Sequence, residues 1–302
     1  MIILPPDIDI LSPIDDHIFK TLLTHPDAKP VLTDVLSASI DRPIRDAIVR
    51  NNELPVTDTN EKGERLDVNC TVDNDDQADV EMHGSRIQEM DEMHTSLVNK
   101  CIYYLTDLHS SQKSKGVEYH KLARTYQITF CNYTVYPHRN EFVTRASMRT
   151  PDGEQITDQI NFILIELSKL GEALKKPVDK LTPLEMWAIF FKYASDTKQR
   201  NIVNRIIAEK GEIAMAGAML MEISKDEKER AHYRSRRMYE TDKFHNESVI
   251  RQRAEAQGMA QGMAQGLTRA KLDFARKMKF AGKPIPEIIQ FTDLSASEIE
   301  SL

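Results

Sequence analysis

Two acidic side chains on neighbouring segments of the sequence could hold a metal ion together. Asp67 precedes a run of alternating polar and apolar residues, and Glu81 lies in a second such run that ends at His83. Side chains of a strand alternate between its two faces, so this pattern predicts a β-hairpin with one apolar face. The polar face would carry Asp67, Glu81 and His83.

The turn of this predicted hairpin sets which residues face each other. Asp73, Asn74, Asp75 and Asp76 form a polar turn, which places odd-numbered residues of one strand opposite odd-numbered residues of the other. Directly opposed side chains have Cβ atoms about 4.5–5.5 Å apart, and like charges at that distance destabilise a sheet. A divalent cation between the carboxylates would remove the repulsion.

A solvated outer face is the simpler interpretation of the same residues, because charged side chains usually face water. The acids nearest the turn, Asp73, Asp75, Asp76 and Asp79, are interpreted as turn-forming and solubilising residues and not as ligands. The hairpin pattern alone leaves both interpretations open.

Composition describes an ordinary globular chain with an uneven charge distribution. Of 302 residues, 40% are hydrophobic and 29% are charged. The first hundred residues hold 9 Lys and Arg against 21 Asp and Glu, a balance of −12, whereas the other 202 balance at +5. The sequence has no apolar run that would span a membrane. Three widely spaced cysteines predict buried thiols in a reducing, cytoplasmic setting.

Helical patterns flank the hairpin and fill the second half of the chain. Ser12 and Pro13 predict the start of a first helix, which places Asp16 in its first turn. Residues 88–108 predict another helix, and 122–136 predict one or two buried strands. Helices are expected from residue 201 onward. The repeat QGMAQGMAQG at 257–266 predicts a weak, hinge-like helix or spacer, since glycines cost about 1 kcal/mol each in a helix.

Several segments in the same order resemble the Rpn family of recombination-promoting nucleases and transposases, a branch of the PD-(D/E)XK nuclease superfamily. The segments that carry the resemblance are DHIFK at 16–20, LDV at 66–68, EMH at 81–83, KCIYYL at 100–105, GVEYHKLARTYQITF at 116–130 and the C-terminal GMAQGMAQG and IPEIIQFTDLSASEIESL. The resemblance implies an α/β fold with a restriction-endonuclease-like core, that is, a mixed sheet flanked by helices, and a helical C-terminal extension.

The resemblance also implies roles for the hairpin residues. Asp67 and Glu81 would be metal ligands, with Mg²⁺ as the cofactor and Mn²⁺ as an alternative, and hard oxygen ligands suit both ions. His83 would occupy the third motif position, which usually holds lysine or glutamine and helps to activate water. Asp16 is either an auxiliary catalytic acid or a charge that interacts with the helix dipole.

His83 departs from the family pattern, and three outcomes are compatible with it. Histidine can accept a proton, donate a hydrogen bond or bind metal, but it is neither a fixed cation nor a neutral amide. The protein would be an active enzyme with an altered pH or metal preference, a weakly active one, or a nuclease fold that binds without cleaving. We favour retained activity.

The resulting hypothesis is a cytoplasmic, metal-dependent DNA endonuclease linked to recombination or mobile elements, with DNA as partner and no membrane association. Its predicted segments are a nuclease-like domain at 1–200, a helical extension at 201–256, a spacer at 257–266 and a small helical tail at 267–302. Two rivals are a catalytically inactive module that binds DNA or a protein, and a structural protein. The helical C-terminal region would mediate a homodimer or higher oligomer.

Overall fold

The computed structural model describes residues 3–50, 67–73, 75–84, 90–112 and 118–302, apart from the side chains at 90–95, 240, 243, 244 and 247. The chain divides into two compact units, Met1–Tyr233 and Arg234–Leu302. None of the described helices is long and apolar enough to cross a membrane.

The first unit is built on a mixed six-stranded sheet with the order β1-β2-β3-β4-β6-β5. The strands are β1 (Ala47–Val49), β2 (Val68–Val72), β3 (Asp76–His83), β4 (Thr125–Cys131), β5 (Val143–Ser147) and β6 (Ile160–Glu166). The pairs β3–β4 and β4–β6 are parallel, and the other neighbours are antiparallel. This sheet confirms the predicted α/β fold with a mixed sheet flanked by helices.

Helices cover both faces of the sheet. They are α1 (Asp16–Leu23), α2 (Lys29–Ile40), α3 (Met90–Ser111), α4 (Pro183–Tyr193), α5 (Arg200–Glu209) and α6 (Gly211–Lys225). Apolar residues of α1, α2, α4, α5 and α6 form the main core with one face of the hairpin. On the other face, Leu97, Cys101 and Leu105 of α3 pack in a smaller core with β4 and β6. A parallel β3–β4 pair requires a crossover connection, and α3 lies in that connection.

The predicted hairpin is present, and its apolar face lies in the main core. Val68, Cys70 and Val72 of β2 and Ala78 and Val80 of β3 are all completely buried. At the turn, Asp73 and Asp75 have φ values of 45° and 73°, a left-handed conformation that aspartate tolerates better than most residues. Leu66 and Asn74, which the hairpin pattern includes, lie outside the described residues.

The first helix begins later than the sequence pattern predicts. Ser12 is the predicted N-cap, but α1 starts at Asp16 because Asp15 is the N-cap: its carboxylate accepts hydrogen bonds from the backbone N–H groups of His17 and Ile18. An aspartate caps a helix as well as a serine does. Asp16 therefore lies at the first position of the helix.

A buried aromatic cluster joins α4 to the helices around it. Trp187 is completely buried and stacks on Phe191, with ring centroids 5.4 Å apart. Its indole Nε1 donates a hydrogen bond of 2.6 Å to Asp34 Oδ2 on α2. Trp187 therefore belongs to the core of the first unit. Helix α4 begins at a capping box, which Thr182 and Glu185 form.

A long helix, α7 (Glu227–Phe280), runs from the first unit into the second, where α8 (Ile285–Thr292) and α9 (Ala296–Glu300) follow. In the second unit Ala275, Ile288, Leu294 and Ile299 form a small core. The repeat at 257–266 lies inside α7 without a break in the helix. Helices α5 and α6, from the segment predicted as an extension, contribute buried side chains to the core of the first unit.

Candidate metal-binding and active site

Asp67 and Glu81 occupy opposed positions at the open end of the hairpin. Val68 pairs with Val80, and Asn69 pairs with Asp79, so the register continues to Asp67 and Glu81. The backbone N–H of Met82 donates a hydrogen bond of 3.2 Å to Asp67 Oδ2, which fixes the orientation of this carboxylate. The predicted odd-with-odd pairing is confirmed.

Glu81 is almost completely buried and has two cationic or polar neighbours. The Nε2 atom of His83 lies 3.0 Å from Glu81 Oε2, and the Nζ atom of Lys100 on α3 lies 3.5 Å from the same oxygen. The Glu81 side chain is 3% exposed, whereas those of His83 and Lys100 are 21% and 42% exposed. The carboxylate therefore lies at the bottom of the cluster, and the histidine and lysine lie nearer to solvent.

Two carboxylates in this buried environment repel each other. Burial, followed by the negative charge of Glu81, raises the pKa of Asp67 to about 6, although the hydrogen bond from Met82 opposes the increase. The charge of Asp16 contributes in the same direction. A divalent cation would reverse the effect, because an opposite charge favours the ionised form of a carboxyl group.

Asp79 does not have the role that the sequence predicts for the acids near the turn. The sequence pattern makes it a solubilising residue, but it is completely buried beneath α3, and Gln127 Nε2 of β4 donates a hydrogen bond of 2.8 Å to its Oδ2. Burial, and then the charge of Glu81, raises the pKa of Asp79 well above its usual value. Among the described residues, no hydrogen-bond partner reaches Asp79 Oδ1 or Gln127 Oε1.

The prediction of a solvated outer face is also wrong, because this face of the hairpin is buried. Asn69, Gln77, Asp79 and Glu81 all point away from the main core, yet each is buried. Helix α3 covers this side of the sheet and contributes Cys101, whose Sγ lies 3.4 Å from Thr129 Oγ1. The polar face of the hairpin is therefore an internal layer, which opens to solvent near His83 and Lys100.

Asp16 belongs to the same region through a close approach of two backbones. A Cβ atom added to Gly84, directly after β3, would lie 2.1 Å from the backbone oxygen of Ile14. Only glycine fits there, and this contact fixes the segment before Asp16 against the end of β3. Asp16 Oδ1 also accepts a hydrogen bond of 2.8 Å from the backbone N–H of His17. Asp16 thus raises the pKa of Asp67 and also lies at the N-terminus of α1.

Lys100 and Tyr104 of the KCIYYL segment also belong to the site, although the hairpin pattern does not identify them. The Lys100 ammonium lies 4.9 Å from the centroid of the Tyr104 ring. Burial lowers the pKa of Lys100, but the electrostatic interactions with Glu81, Tyr104 and Asp67 outweigh it and raise the pKa above its usual value. Spacing along α3 could have identified the pair, since residues four apart share a helix face.

The donor set suits an ion that keeps part of its water shell. Among the described residues, no group of three or more His, Cys, Asp and Glu side chains could hold a metal ion. Mg²⁺ usually binds through one or two carboxylates and retains several waters, whereas a structural zinc site needs four protein ligands. Two opposed carboxylates, one with a pKa raised to about 6, fit a hard divalent cation.

A comparison with known protein families matches residues 13–251 to the PD-(D/E)XK nuclease family transposases. The chain belongs to this family. The match covers α1, the whole sheet and about the first half of α7, and it confirms the resemblance found in the sequence. Membership in the PD-(D/E)XK family supports a nuclease-like or transposase-like role and the use of a divalent metal. Searches of curated proteins and of solved structures gave no match.

Proposed function

We propose that this protein is a metal-dependent DNA endonuclease in which Asp67 and Glu81 are the metal ligands. The observation that carries the proposal is the opposed pair of carboxylates at the end of a buried hairpin. Burial and their mutual repulsion raise the pKa of Asp67 to about 6. Holding two ionised acids together raises the free energy of the folded protein. A cation bound between them would remove this repulsion.

Each residue has a distinct task in this proposal. A bound divalent cation would neutralise charge on the phosphoryl oxygens and lower the pKa of a water. Asp67 and Glu81 would hold the cation, and the backbone carbonyl of Met82 would be a further oxygen ligand. His83 accepts the proton of the attacking water, and Asp16 is an auxiliary acid. The water oxygen bonds to phosphorus, one P–O ester bond breaks, and the leaving oxygen takes a proton.

Mg²⁺ is the proposed ion and Mn²⁺ the alternative, because carboxylate and carbonyl oxygens suit both. DNA is the proposed substrate, and a link to recombination or mobile elements follows from the transposases of the family.

Plasmid nicking by the full-length protein tests the assignment. Supercoiled DNA is incubated in Mg²⁺, in Mn²⁺ and in EDTA, with wild type, Asp67→Asn and Glu81→Gln. We expect nicking with either metal, none with EDTA, and a loss of about 100-fold or more in both variants. Asp75→Asn is the matched control: Asp75 lies on the same hairpin but is exposed at the turn, and this variant should retain wild-type activity.

Unchanged nicking in Asp67→Asn and Glu81→Gln would remove both residues from the proposed site. DNA binding without nicking in either metal would favour the alternative, a catalytically inactive nuclease fold that binds DNA or a protein. A gel-shift measurement on the same wild-type preparation, with Ca²⁺ in place of Mg²⁺, separates that outcome from a protein that does not bind DNA.

A homodimer or higher oligomer through the helical C-terminal region is a further part of the proposal. In the second unit Met259, Met263 and Leu267 are 72%, 77% and 62% exposed and lie four residues apart on α7. Residues four apart share one helix face. Met263→Glu in the full-length chain should lower the mass measured by light scattering; an unchanged mass would exclude this helix face as the interface.

A further inference from the structure

The third motif position of the proposed nuclease lacks a permanent positive charge. His83 occupies it, and its Nε2 lies 3.0 Å from Glu81 Oε2, so this imidazole already interacts with a proposed metal ligand. Hydrolysis of a phosphodiester builds negative charge on the phosphoryl oxygens, and a fixed cation at that point stabilises the transition state. A cation from another element would meet this requirement.

Lys100 is a cation at the required location. It reaches the site from α3, and its Nζ lies 3.5 Å from Glu81 Oε2, on the side of the carboxylate opposite the main core. Its side chain is 42% exposed, whereas Glu81 is 3% exposed. The ammonium thus lies between the buried carboxylate and solvent, which is the side from which a DNA backbone would approach.

Tyr104 restrains this ammonium. The centroid of its ring lies 4.9 Å from Lys100 Nζ, within the range of a cation–π contact. Lysine and tyrosine are four residues apart on α3, so the helix itself sets their separation. The ring limits the conformations of a long, partly exposed side chain and keeps its charge near Glu81.

We propose that Lys100 supplies, from α3, the positive charge that the third motif position lacks, by contacting a phosphoryl oxygen of the bound DNA. The proposal rests on the proposed nuclease function. Lys100 transfers no proton: it stabilises the charge that develops when water adds to phosphorus and the ester bond breaks. Tyr104 is a positioning residue, and His83 keeps its proposed role as the acceptor of the water's proton.

The test compares Lys100→Met with Lys100→Arg in the full-length protein and uses two readouts. Nicking of supercoiled plasmid in Mg²⁺ measures the reaction, and calorimetric titration with Mn²⁺ in the absence of DNA measures the carboxylate site. Lys121→Met is the control, because Lys121 is exposed and its ion pair is with Glu118.

Lys100→Met should lose about 100-fold in nicking rate, while Lys100→Arg retains most of the rate because it keeps the charge. In the titration, Lys100→Met should bind Mn²⁺ about fivefold more tightly, because the ammonium no longer repels the metal ion next to Glu81. A residue with only a structural role would not produce tighter metal binding together with slower cleavage. Lys121→Met should change neither quantity.

Tyr104 adds a second pair of variants. Tyr104→Phe keeps the ring and should nick DNA at nearly the wild-type rate. Tyr104→Leu should be about tenfold slower, the effect of one partly exposed cation–π contact. Equal rates for Tyr104→Phe and Tyr104→Leu would overturn the positioning role.

Two results distinguish this inference from the function on which it rests. If wild type nicks DNA and Lys100→Met nicks it equally fast, the role of Lys100 is wrong and the nuclease proposal stands. If folded wild type does not nick DNA in Mg²⁺ or Mn²⁺, the nuclease proposal fails, and the role of Lys100 fails with it. Loss of both nicking and Mn²⁺ binding in Lys100→Met and Lys100→Arg alike would indicate a structural role and overturn the inference.

Discussion

The two faces of the β2–β3 hairpin are buried to a similar degree but by different means. On one face Val68, Val80 and their neighbours pack against apolar helices. On the other, Asp79 and Glu81 are covered by α3 and contact Gln127, His83 and Lys100. Apolar burial stabilises the fold, whereas burial of carboxylates costs free energy unless a partner compensates it. The same strands therefore support stability on one face and chemistry on the other.

Adjacent residues on the two faces should give opposite phenotypes. Glu81→Gln removes a buried charge. It should slow metal-dependent nicking by about 100-fold or more without lowering the free energy of unfolding. Val80→Ala leaves a cavity in the core and should lower that free energy by about 2 kcal/mol while nicking persists. Urea unfolding and plasmid nicking measure the two quantities. Loss of stability in Glu81→Gln comparable to that in Val80→Ala would contradict the distinction.

The polar face should also give the metal-free protein a characteristic pH dependence. The pKa of Asp67 is about 6 in the folded protein and 3.8 in a model peptide, so the folded state binds this proton more tightly. This tighter proton binding contributes to the free energy of unfolding. The contribution is present in full below pH 4 and disappears as the pH rises through 6, a loss of about 3 kcal/mol.

Comparison of wild type with Asp67→Asn isolates this contribution. The difference in unfolding free energy between the two proteins, measured in EDTA, should change from pH 4 to pH 7 in favour of Asp67→Asn. At pH 7.5, Mg²⁺ should raise the melting temperature of wild type and not that of Asp67→Asn, because a ligand that binds only the folded state stabilises it. A pH-independent difference would show that burial does not perturb Asp67.

The close approach between the end of β3 and the segment before α1 depends on Gly84. Gly84→Ala would place a Cβ 2.1 Å from the backbone oxygen of Ile14 and must displace the segment that leads into Asp16. We expect a loss of about 2 kcal/mol in unfolding free energy, the usual effect of overpacking, and slower nicking. Gly171→Ala is the control, since nothing lies within 4 Å of its added Cβ. Equal stability of the two variants would show that the close approach relaxes without cost.

The smallest effect is expected in α7, far in sequence from the hairpin. An added Cβ at Gly262 meets nothing within 4 Å, so Gly262→Ala should stabilise the helix by about 1 kcal/mol. Gly282 has a φ of 73°, and Gly282→Ala should destabilise the turn after α7. Thermal unfolding followed by circular dichroism compares them. Destabilisation by Gly262→Ala would instead support the predicted hinge.

The sequence predicted the periodic features of the fold better than the way in which elements cover one another. The alternation in the hairpin depends on neighbours in the chain, and the predicted pairing of its strands is confirmed. The three cysteines are buried and free, as predicted. The predicted start of α1 was wrong by a few residues because Ser12 and Asp15 are both good N-caps, and only the folded backbone distinguishes them.

The sequence predicted only the part of the site that depends on local strand alternation. Strand alternation placed Asp67 and Glu81 on one face, but it could not reveal that α3 covers this face. Asp79 was therefore assigned to solvent and Lys100 received no role, since both depend on a helix packing across the sheet. The metal-ligand roles of Asp67 and Glu81, and the roles of His83 and Asp16, stay predictions.

Trp187 makes the first unit separately observable. It is the single tryptophan of the chain, it is completely buried, and its indole hydrogen-bonds to Asp34. Its intrinsic fluorescence should therefore shift to longer wavelength when the main core opens, while unfolding confined to the second unit, Arg234–Leu302, leaves the emission unchanged. One spectrum thus follows the nuclease-like core in the intact protein without a label.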